Sequence, residues 1–294
     1  ERTQDLEDTN LMLEESIRTM SEDLEAGRYI QFKMLPEKEK RIGPYQFSRA
    51  LFSSTSLSGD FLDFFEINEN TTGFYIADVS GHGVSSAFFT VLLTNYIHTY
   101  LRKHRFEHDD LILQPAKLLS RLNTEFLQER TEKYVTMFYG VLKQKESTLL
   151  FANAGQFPWP IVHAKTNINM NLIQSWKHEN TPLGTKYAPM NLELDFEKAK
   201  SARIEAKGPP LGLFSSAEYR EYEMILPKEF IMMLVSDGIL EILPQKKLSN
   251  KLEYLETLID NFDTSLQTIT EKVSLTEKTQ NPDYITFLMI NRRS

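Results

Sequence analysis

The order in which strand-like and helix-like segments follow one another constrains this chain more than any other feature of its sequence. Beyond Pro36, short segments rich in Phe, Tyr and Ile come in consecutive groups, and helical segments come in pairs. The predicted strands are 45–54, 61–67, 73–79, 134–143, 147–153, 219–226, 230–236 and 284–291, and the predicted helices are 84–104, 114–129 and one within 250–273. This grouping is typical of α+β proteins with antiparallel sheets covered by helices, and it argues against a βαβ array. Residues 165–207 show no clear periodicity, and we expect an insertion there.

Residues 1–35 form a separate segment, which contains no proline and is predicted to be one long helix. Its seam residues alternate at spacings of four and three, as in a coiled-coil heptad. The seam positions are Leu6, Asn10, Leu13, Ile17, Met20, Leu24, Gly27, Gln31 and Met34. A polar residue such as Asn10 at an a position favours a parallel two-stranded register. We therefore predict a coiled coil over residues 6–24 and a homodimer through residues 6–34, with a seam that Gly27 and Gln31 weaken. The alternative is a helix that packs on its own domain.

Composition excludes several kinds of function. Lys and Arg total 33 and Asp and Glu total 41, so the net charge is −8, which disfavours nucleic acid as a partner because phosphate backbones need basic surfaces. The chain has no cysteine, and therefore no disulfide, thiolate nucleophile or cysteine-ligated zinc. It has no run of about 18 apolar residues, as a membrane-spanning helix would need. Because it begins with Glu1 inside a predicted helix, we expect it to be part of a longer polypeptide.

Four aspartates carry the candidate chemistry, each at a point where a predicted strand meets a turn. They are Asp60, Asp78, Asp237 and Asp283. A single aspartate of this kind is usually only a turn residue, but four of them are harder to explain, since burying an unpaired carboxylate is costly. If the strand ends converge, the carboxylates would repel one another unless a cation neutralised them. Ligation by oxygen alone suits magnesium or manganese rather than zinc.

Six motifs follow one another in a characteristic order. They are SGDFLDFF (58–65), DVSGHG (78–83), NAGQ (153–156), GPPLG (208–212), VSDGILE (235–241) and PDYIT (282–286). This set resembles the RsbU/SpoIIE-type bacterial branch of the metal-dependent, type-2C (PPM) serine/threonine protein phosphatases, and AGRYIQFKMLP (26–36) is similar to the linker that leads into those domains. The resemblance covers about 26–291, apart from the region near 165–207. It implies an α-β-β-α sandwich of two central antiparallel sheets flanked by helices.

The resemblance also implies a binuclear site for two manganese or magnesium ions. Its ligands, matched motif by motif, are the backbone carbonyl of Val79 and the carboxylates of Asp60, Asp78, Asp237 and Asp283. Asp78 is the expected bridging ligand, and with Asp60 it is an expected catalytic carboxylate. His82 is a candidate proton donor or, equally, a residue that stabilises the surrounding glycine turn. Gln156 stands where the family usually has histidine, a departure that bears on substrate contacts rather than on metal binding.

The implied reaction is hydrolysis of phosphoserine or phosphothreonine by a water that the two ions activate, without a protein nucleophile. The family's usual substrate is a phosphorylated STAS-domain protein, often an anti-sigma-factor antagonist. The resemblance therefore implies the output domain of a signalling protein with an upstream sensor, either cytoplasmic or the cytoplasmic part of a membrane-anchored protein. The alternatives are a non-catalytic module that holds its partner on the same fold, and a scaffold whose coiled coil carries the function.

Overall fold

A long N-terminal helix, α1, spans Arg2–Met34 and ends just before Leu35, the residue that precedes Pro36. A proline disfavours helical backbone in the residue before it, which explains this end point. The computed structural model describes residues 2–52, 57–81, 83–164, 168–177, 192–194, 201–275 and 284–292. The predicted N-terminal helix is confirmed. None of the helices in these ranges is both long enough and apolar enough to cross a membrane.

The chain after α1 alternates between groups of strands and groups of helices. The strands are β1 (Glu39–Ile42), β2 (Tyr45–Phe52), β3 (Asp60–Asn68), β4 (Thr71–Val79), β5 (Val135–Lys143), β6 (Thr148–Ala154), β7 (Ile161–Ala164), β8 (Ile168–Lys177), β9 (Leu192–Leu194), β10 (Ser201–Arg203), β11 (Glu218–Ile225), β12 (Phe230–Val235) and β13 (Ile285–Arg292). The helices are α2 (Val84–Glu107), α3 (Pro115–Gln128), α4 (Ile239–Ile242), α5 (Leu248–Thr257) and α6 (Leu266–Lys272), and a 3-10 turn covers Asp110–Leu113.

The strands form two antiparallel sheets. A six-stranded sheet has the order β1-β2-β13-β12-β7-β10, and a seven-stranded sheet has the order β3-β4-β5-β6-β11-β8-β9. The six-stranded sheet combines strands from distant parts of the chain, because β13 lies between β2 and β12. The predicted α+β class with two antiparallel sheets is confirmed.

The two sheets pack face to face, and helices cover their outer sides. At the centre, Phe47 on β2 stacks on Phe64 on β3 with ring centroids 4.8 Å apart. Helices α2 and α3 pack on the seven-stranded sheet. Helices α5 and α6 pack on the other sheet, where Leu255 and Ile269 join its buried residues. The predicted α-β-β-α sandwich is therefore confirmed, and β12 is buried along its whole length because its sheet is covered on both faces.

The sequence prediction differs from the structure in several places, because strands β1, β7, β8, β9 and β10 and helix α4 were not predicted. The segment 250–273 holds most of two helices, α5 and α6, rather than one. The region 165–207 contributes strands to both sheets: β8 pairs with β11, and β10 pairs with β7. These described strands extend the two sheets, and the expected insertion near 165–207 stays a prediction. Strand β8 shows alternating apolar and polar residues over 168–172, whereas β10 has only three residues, too few to show an alternation.

Candidate metal centre

Asp60 and Asp78 lie directly opposite each other on neighbouring strands. Asp60 is the first residue of β3, Asp78 is the last but one of β4, and the antiparallel register pairs their Cα atoms. Directly paired residues place their Cβ atoms about 4.5–5.5 Å apart on the same face of a sheet. Asp60 is only 3% exposed, and Asp78 is half-buried. Two like charges in such a pair destabilise each other, so this strand end is suited to bind a cation.

Gly59, the residue before Asp60, packs closely against the backbone at Val79 and the side chain of Asp78. The Val79 N–H donates to the Gly59 carbonyl at 3.1 Å. A Cβ atom at residue 59 would lie 2.8 Å from the Val79 carbonyl oxygen and 3.4 Å from Oδ1 of Asp78. Any larger residue would therefore collide with the Val79 carbonyl. Carboxylate and carbonyl oxygens are the donors that magnesium and manganese prefer, so the residues present fit the implied ions.

The loop that follows Asp78 is fastened to the start of β5. The Ser80 N–H donates to the Tyr134 carbonyl at 2.9 Å, and the Tyr134 N–H donates to Oγ of Ser80 at 3.0 Å. The Lys133 ammonium donates to the Ser80 carbonyl at 2.8 Å and to Oγ of Ser86, on α2, at 3.1 Å. Lys133 thus fixes the loop and the helix relative to each other. Sequence reasoning missed it, because a single lysine outside any motif carries no distinguishing pattern.

Asp237 lies in the turn that follows β12, a strand of the six-stranded sheet. It is exposed, and its backbone carbonyl accepts the Leu240 N–H at 2.8 Å. The preceding residue, Ser236, ties this turn to the start of β13. Its N–H donates to the Thr286 carbonyl at 3.0 Å, and its Oγ accepts the Thr286 N–H at 2.9 Å. Asp237 therefore lies near the beginning of the strand that Asp283 precedes in sequence.

Two predicted site residues, His82 and Asp283, lie outside the residues that the structure describes. Within the described ranges, no three His, Asp or Glu side chains are grouped as a ready metal cluster. The structure brings together Asp60, Asp78 and the Val79 carbonyl. The convergence of Asp237 and Asp283 on this pair stays a prediction.

Gln156 is buried in the protein instead of facing a substrate. It lies in the turn after β6 and is 3% exposed. Its Nε2 donates to the carbonyl of Val235 at 3.2 Å, two residues before Asp237. The departure at this position therefore does not act through direct substrate contact, because burial removes the side chain from the surface.

Comparisons with known proteins agree with the motifs. The family model described as "Stage II sporulation protein E (SpoIIE)" matches residues 68–194 and 188–293, which together are more than half of the chain. "Phosphoserine phosphatase RsbP" of Bacillus subtilis (strain 168) is 23% identical over 224 residues, which cover 74% of this chain and 45% of that protein. The chain spans less than half the length of the curated relatives that it matches.

Solved structures share the same fold. The SiaA-PP2C domain of Pseudomonas aeruginosa has a TM-score of 0.65 at 14% identity, over 95% of this chain and 99% of that chain. RsbX in complex with magnesium has a TM-score of 0.55 at 11% identity, over 87% of this chain and 98% of that chain. The fold is therefore that of a PP2C-type domain. With the family match, this shows that the chain belongs to the SpoIIE family, within the RsbU/SpoIIE-type branch of the metal-dependent serine/threonine protein phosphatases.

Proposed function

We propose that this chain is a phosphatase domain that hydrolyses phosphoserine or phosphothreonine on a partner protein. The observation that carries the proposal is the pairing of Asp60 with Asp78 across β3 and β4, beside the Val79 carbonyl. Oxygen ligands of this kind suit the hard divalent cations that activate water toward phosphate esters. Membership of the SpoIIE family and similarity to a phosphoserine phosphatase support the same activity.

Two manganese or magnesium ions are the proposed cofactor. Their proposed ligands are Asp60, Asp78 as the bridge, the Val79 carbonyl, Asp237 and Asp283. When bound, such ions supply an activated water and neutralise the phosphoryl oxygens. His82 is the proposed proton donor. That RsbX was crystallised with magnesium supports a requirement for a divalent cation.

The chain's own residues fix the backbone that carries the first carboxylate. The Asp60 N–H donates to Oγ of Ser58 at 3.0 Å, and Ser58 is 1% exposed. On the opposite strand, the contacts of Lys133 and Tyr134 with Ser80 limit the movement of the loop after Asp78. Both carboxylates are thus held on rigid elements, as a preorganised site requires.

The activity itself is tested with p-nitrophenyl phosphate. With millimolar manganese present, we expect hydrolysis, measured by the absorbance of p-nitrophenolate. The competing hypothesis is a non-catalytic module or scaffold that binds a partner on the same fold, and that hypothesis predicts no p-nitrophenolate above the buffer control. The proposed phosphatase activity would be contradicted if the folded chain with manganese released no product from this ester and no phosphate from a phosphoserine protein.

The proposed substrate is a phosphorylated STAS-domain protein, a choice that rests on the family resemblance. We further propose that this domain is cytoplasmic, either free or as the cytoplasmic part of a membrane-anchored sensor. Phosphate release from phosphorylated STAS proteins of the same organism tests the substrate class. Release from these proteins at a much higher kcat/KM than from unrelated phosphoserine proteins is expected.

An apolar stripe on α1 supports the proposed homodimer. Leu6, Leu13, Ile17 and Met20 are each between 56% and 64% exposed, although they are the apolar residues among the first five seam positions of the heptad. A parallel partner helix would bury this stripe, and Asn10 would specify its register. The proposed dimer therefore uses the part of α1 that does not pack on the phosphatase domain.

Gln31, near the end of α1, joins three elements and is 2% exposed. Its Nε2 donates to the Ser58 carbonyl at 2.7 Å and to Oγ1 of Thr90, on α2, at 2.9 Å. Its Oε1 accepts the Ser58 N–H at 3.0 Å, and Ser58 in turn contacts Asp60. Gln31 is polar at a seam position because it serves this contact within the chain. We propose that it couples α1 to the strand of Asp60 and to the helix that follows Asp78.

Rotation of α1 should therefore change activity. Fusing a rigid helix ahead of residue 6 in one-residue increments rotates the input by about 100° per residue. We expect activity that is periodic in the number of added residues, measured as p-nitrophenyl phosphate turnover. In the same fusions carrying Gln31→Leu, turnover should no longer vary with the number of added residues, because the amide that joins α1 to Ser58 and Thr90 is lost.

If α1 were only a spacer, turnover would not depend on the number of added residues, either with Gln31 or with Gln31→Leu. That result would contradict the proposed coupling. Thermal unfolding of Gln31→Leu checks that this variant is folded at the assay temperature. Sedimentation of the unfused chain as a monomer at micromolar concentrations would contradict the proposed homodimer.

A further inference from the structure

We propose that Gln156 is a positioning residue for Asp237, and that it acts by holding the carbonyl at the end of β12. This inference rests on the proposed function, because it concerns a ligand of the proposed metal centre. Its basis is the hydrogen bond from Nε2 of Gln156 to the Val235 carbonyl, 3.2 Å long and buried. Only one residue, Ser236, separates Val235 from Asp237 in the chain.

Among the described residues, the end of β12 has a strand partner on one side only, and on the other side the Gln156 amide occupies the partner's place. Strand β7 pairs with β12 from Phe230 to Met233 and begins at Ile161, so its pairing stops before Val235. On the other side, β13 pairs with Val235. The Gln156 amide thus supplies the N–H that a longer β7 would supply. A buried carbonyl without such a donor is destabilising, so this bond also favours the observed position of the strand end.

The turn that carries Gln156 is itself fixed by Asn153. Oδ1 of Asn153 accepts the Gln156 N–H at 2.9 Å, and its Nδ2 donates to the Gln156 carbonyl at 3.0 Å and to the Ala206 carbonyl at 2.7 Å. Gly155, with φ of +80°, allows the sharp reversal between them. The amide of Gln156 is therefore held in a defined direction by the end of β6.

This contact connects the two sheets at the edge where the proposed ligands are divided between them. Strand β6 belongs to the seven-stranded sheet, which carries Asp60 and Asp78, and β12 belongs to the six-stranded sheet, which leads into Asp237. A centre built from both sheets requires a fixed distance between their strand ends. Residues that orient metal ligands in this indirect way commonly change metal affinity when they are replaced.

The chemistry of the contact predicts which replacements are tolerated. Val235 requires only an N–H donor, and Oε1 of Gln156 is buried and accepts no hydrogen bond from any residue in the described ranges. Histidine, with a ring N–H, can meet this requirement. Leucine has a similar volume but no donor, and the carboxylate of glutamate has a similar shape but no proton to give.

The test is manganese binding to the whole chain by isothermal titration calorimetry, which needs no turnover. We expect Gln156→Leu to weaken binding about 10–100-fold, and Gln156→His to stay within about threefold of the unsubstituted chain. Gln46→Leu is the matched control, because the Gln46 amide also donates to a strand carbonyl, that of Phe47 at 3.3 Å, but on β2. Its manganese affinity should not change.

Circular dichroism confirms that each variant is folded, and Gln156→Glu at pH 8 replaces Gln156→Leu if the latter does not fold. Unchanged manganese affinity in either donor-free variant would overturn the positioning role, even if its melting temperature fell. Failure of Gln156→His to restore affinity would overturn the donor argument. If the unsubstituted chain bound no manganese, the proposed function would fail instead.

Discussion

Asp78→Asn should lower turnover of p-nitrophenyl phosphate by a hundredfold or more, which corresponds to about 3 kcal/mol of transition-state stabilisation. The substitution removes the charge of the proposed bridging ligand and keeps its size. Asp237→Asn should cause a comparable loss if the six-stranded sheet contributes its ligand. Steady-state kinetics at saturating manganese measure both effects.

Stability provides an independent readout of the same pair. Asp60 and Asp78 are direct cross-strand neighbours, and like charges in such positions destabilise a sheet. Without metal, Asp78→Asn should therefore have an unchanged or higher melting temperature. A large fall in melting temperature would show that lost turnover reflects unfolding rather than loss of a ligand.

Asp109→Asn is the matched control for these variants. Oδ1 of Asp109 accepts the Leu111 N–H at 2.9 Å at the start of the 3-10 turn, and asparagine keeps this acceptor. Its turnover should equal that of the unsubstituted chain. Near-normal turnover in both Asp78→Asn and Asp237→Asn would mean that the assigned site is wrong.

Chelation should abolish activity completely and reversibly. The proposed ligands are all oxygens, which bind magnesium and manganese at moderate strength, so excess EDTA should remove the ions. Activity should return when manganese is added beyond the chelator, as measured by p-nitrophenolate release.

Zinc offers a useful comparison, because a site with neither cysteine nor histidine among its proposed ligands lacks the donors that zinc favours. We expect zinc to restore less activity than manganese. Full activity in excess EDTA would contradict the two-metal proposal, and circular dichroism in EDTA distinguishes loss of metal from loss of fold.

The sequence predicted the fold well because most of its strands carry a local pattern. Segments such as β4 and β12 are apolar runs that end at an aspartate and a turn, and the structure shortens or lengthens them by only one or two residues. Strand β8 does carry a local alternation, of Ile168, Met170 and Leu172 with two asparagines, and the prediction missed it. Strand β10 has only three residues, too few to show an alternation, and its place depends on pairing with β7. Backbone pairing of this kind has no signature in a single sequence.

The candidate site was predictable where a motif and a strand end coincide, as at Asp60 and Asp78. The supporting residues were not. Lys133, Gln31 and Gln156 act through single hydrogen bonds to backbone atoms of other elements. A polar residue gains such a role only from its position in three dimensions, so neither its type nor its neighbours in sequence distinguish it from an ordinary surface residue.

The burial of the end of α1 has a consequence for how the protein can be divided into fragments. Leu35 belongs to the large buried cluster that joins residues of both sheets and of α2 and α3, and Phe32 and Met34 pack against this cluster. A fragment that starts at Pro36 would lose these side chains and would leave both backbone groups of Ser58 without the Gln31 amide. A fragment that starts near Met20 would keep them and would lose only the exposed stripe. The last turns of α1 are thus part of the same cooperative folding unit as the phosphatase domain, and truncation experiments should leave them in place.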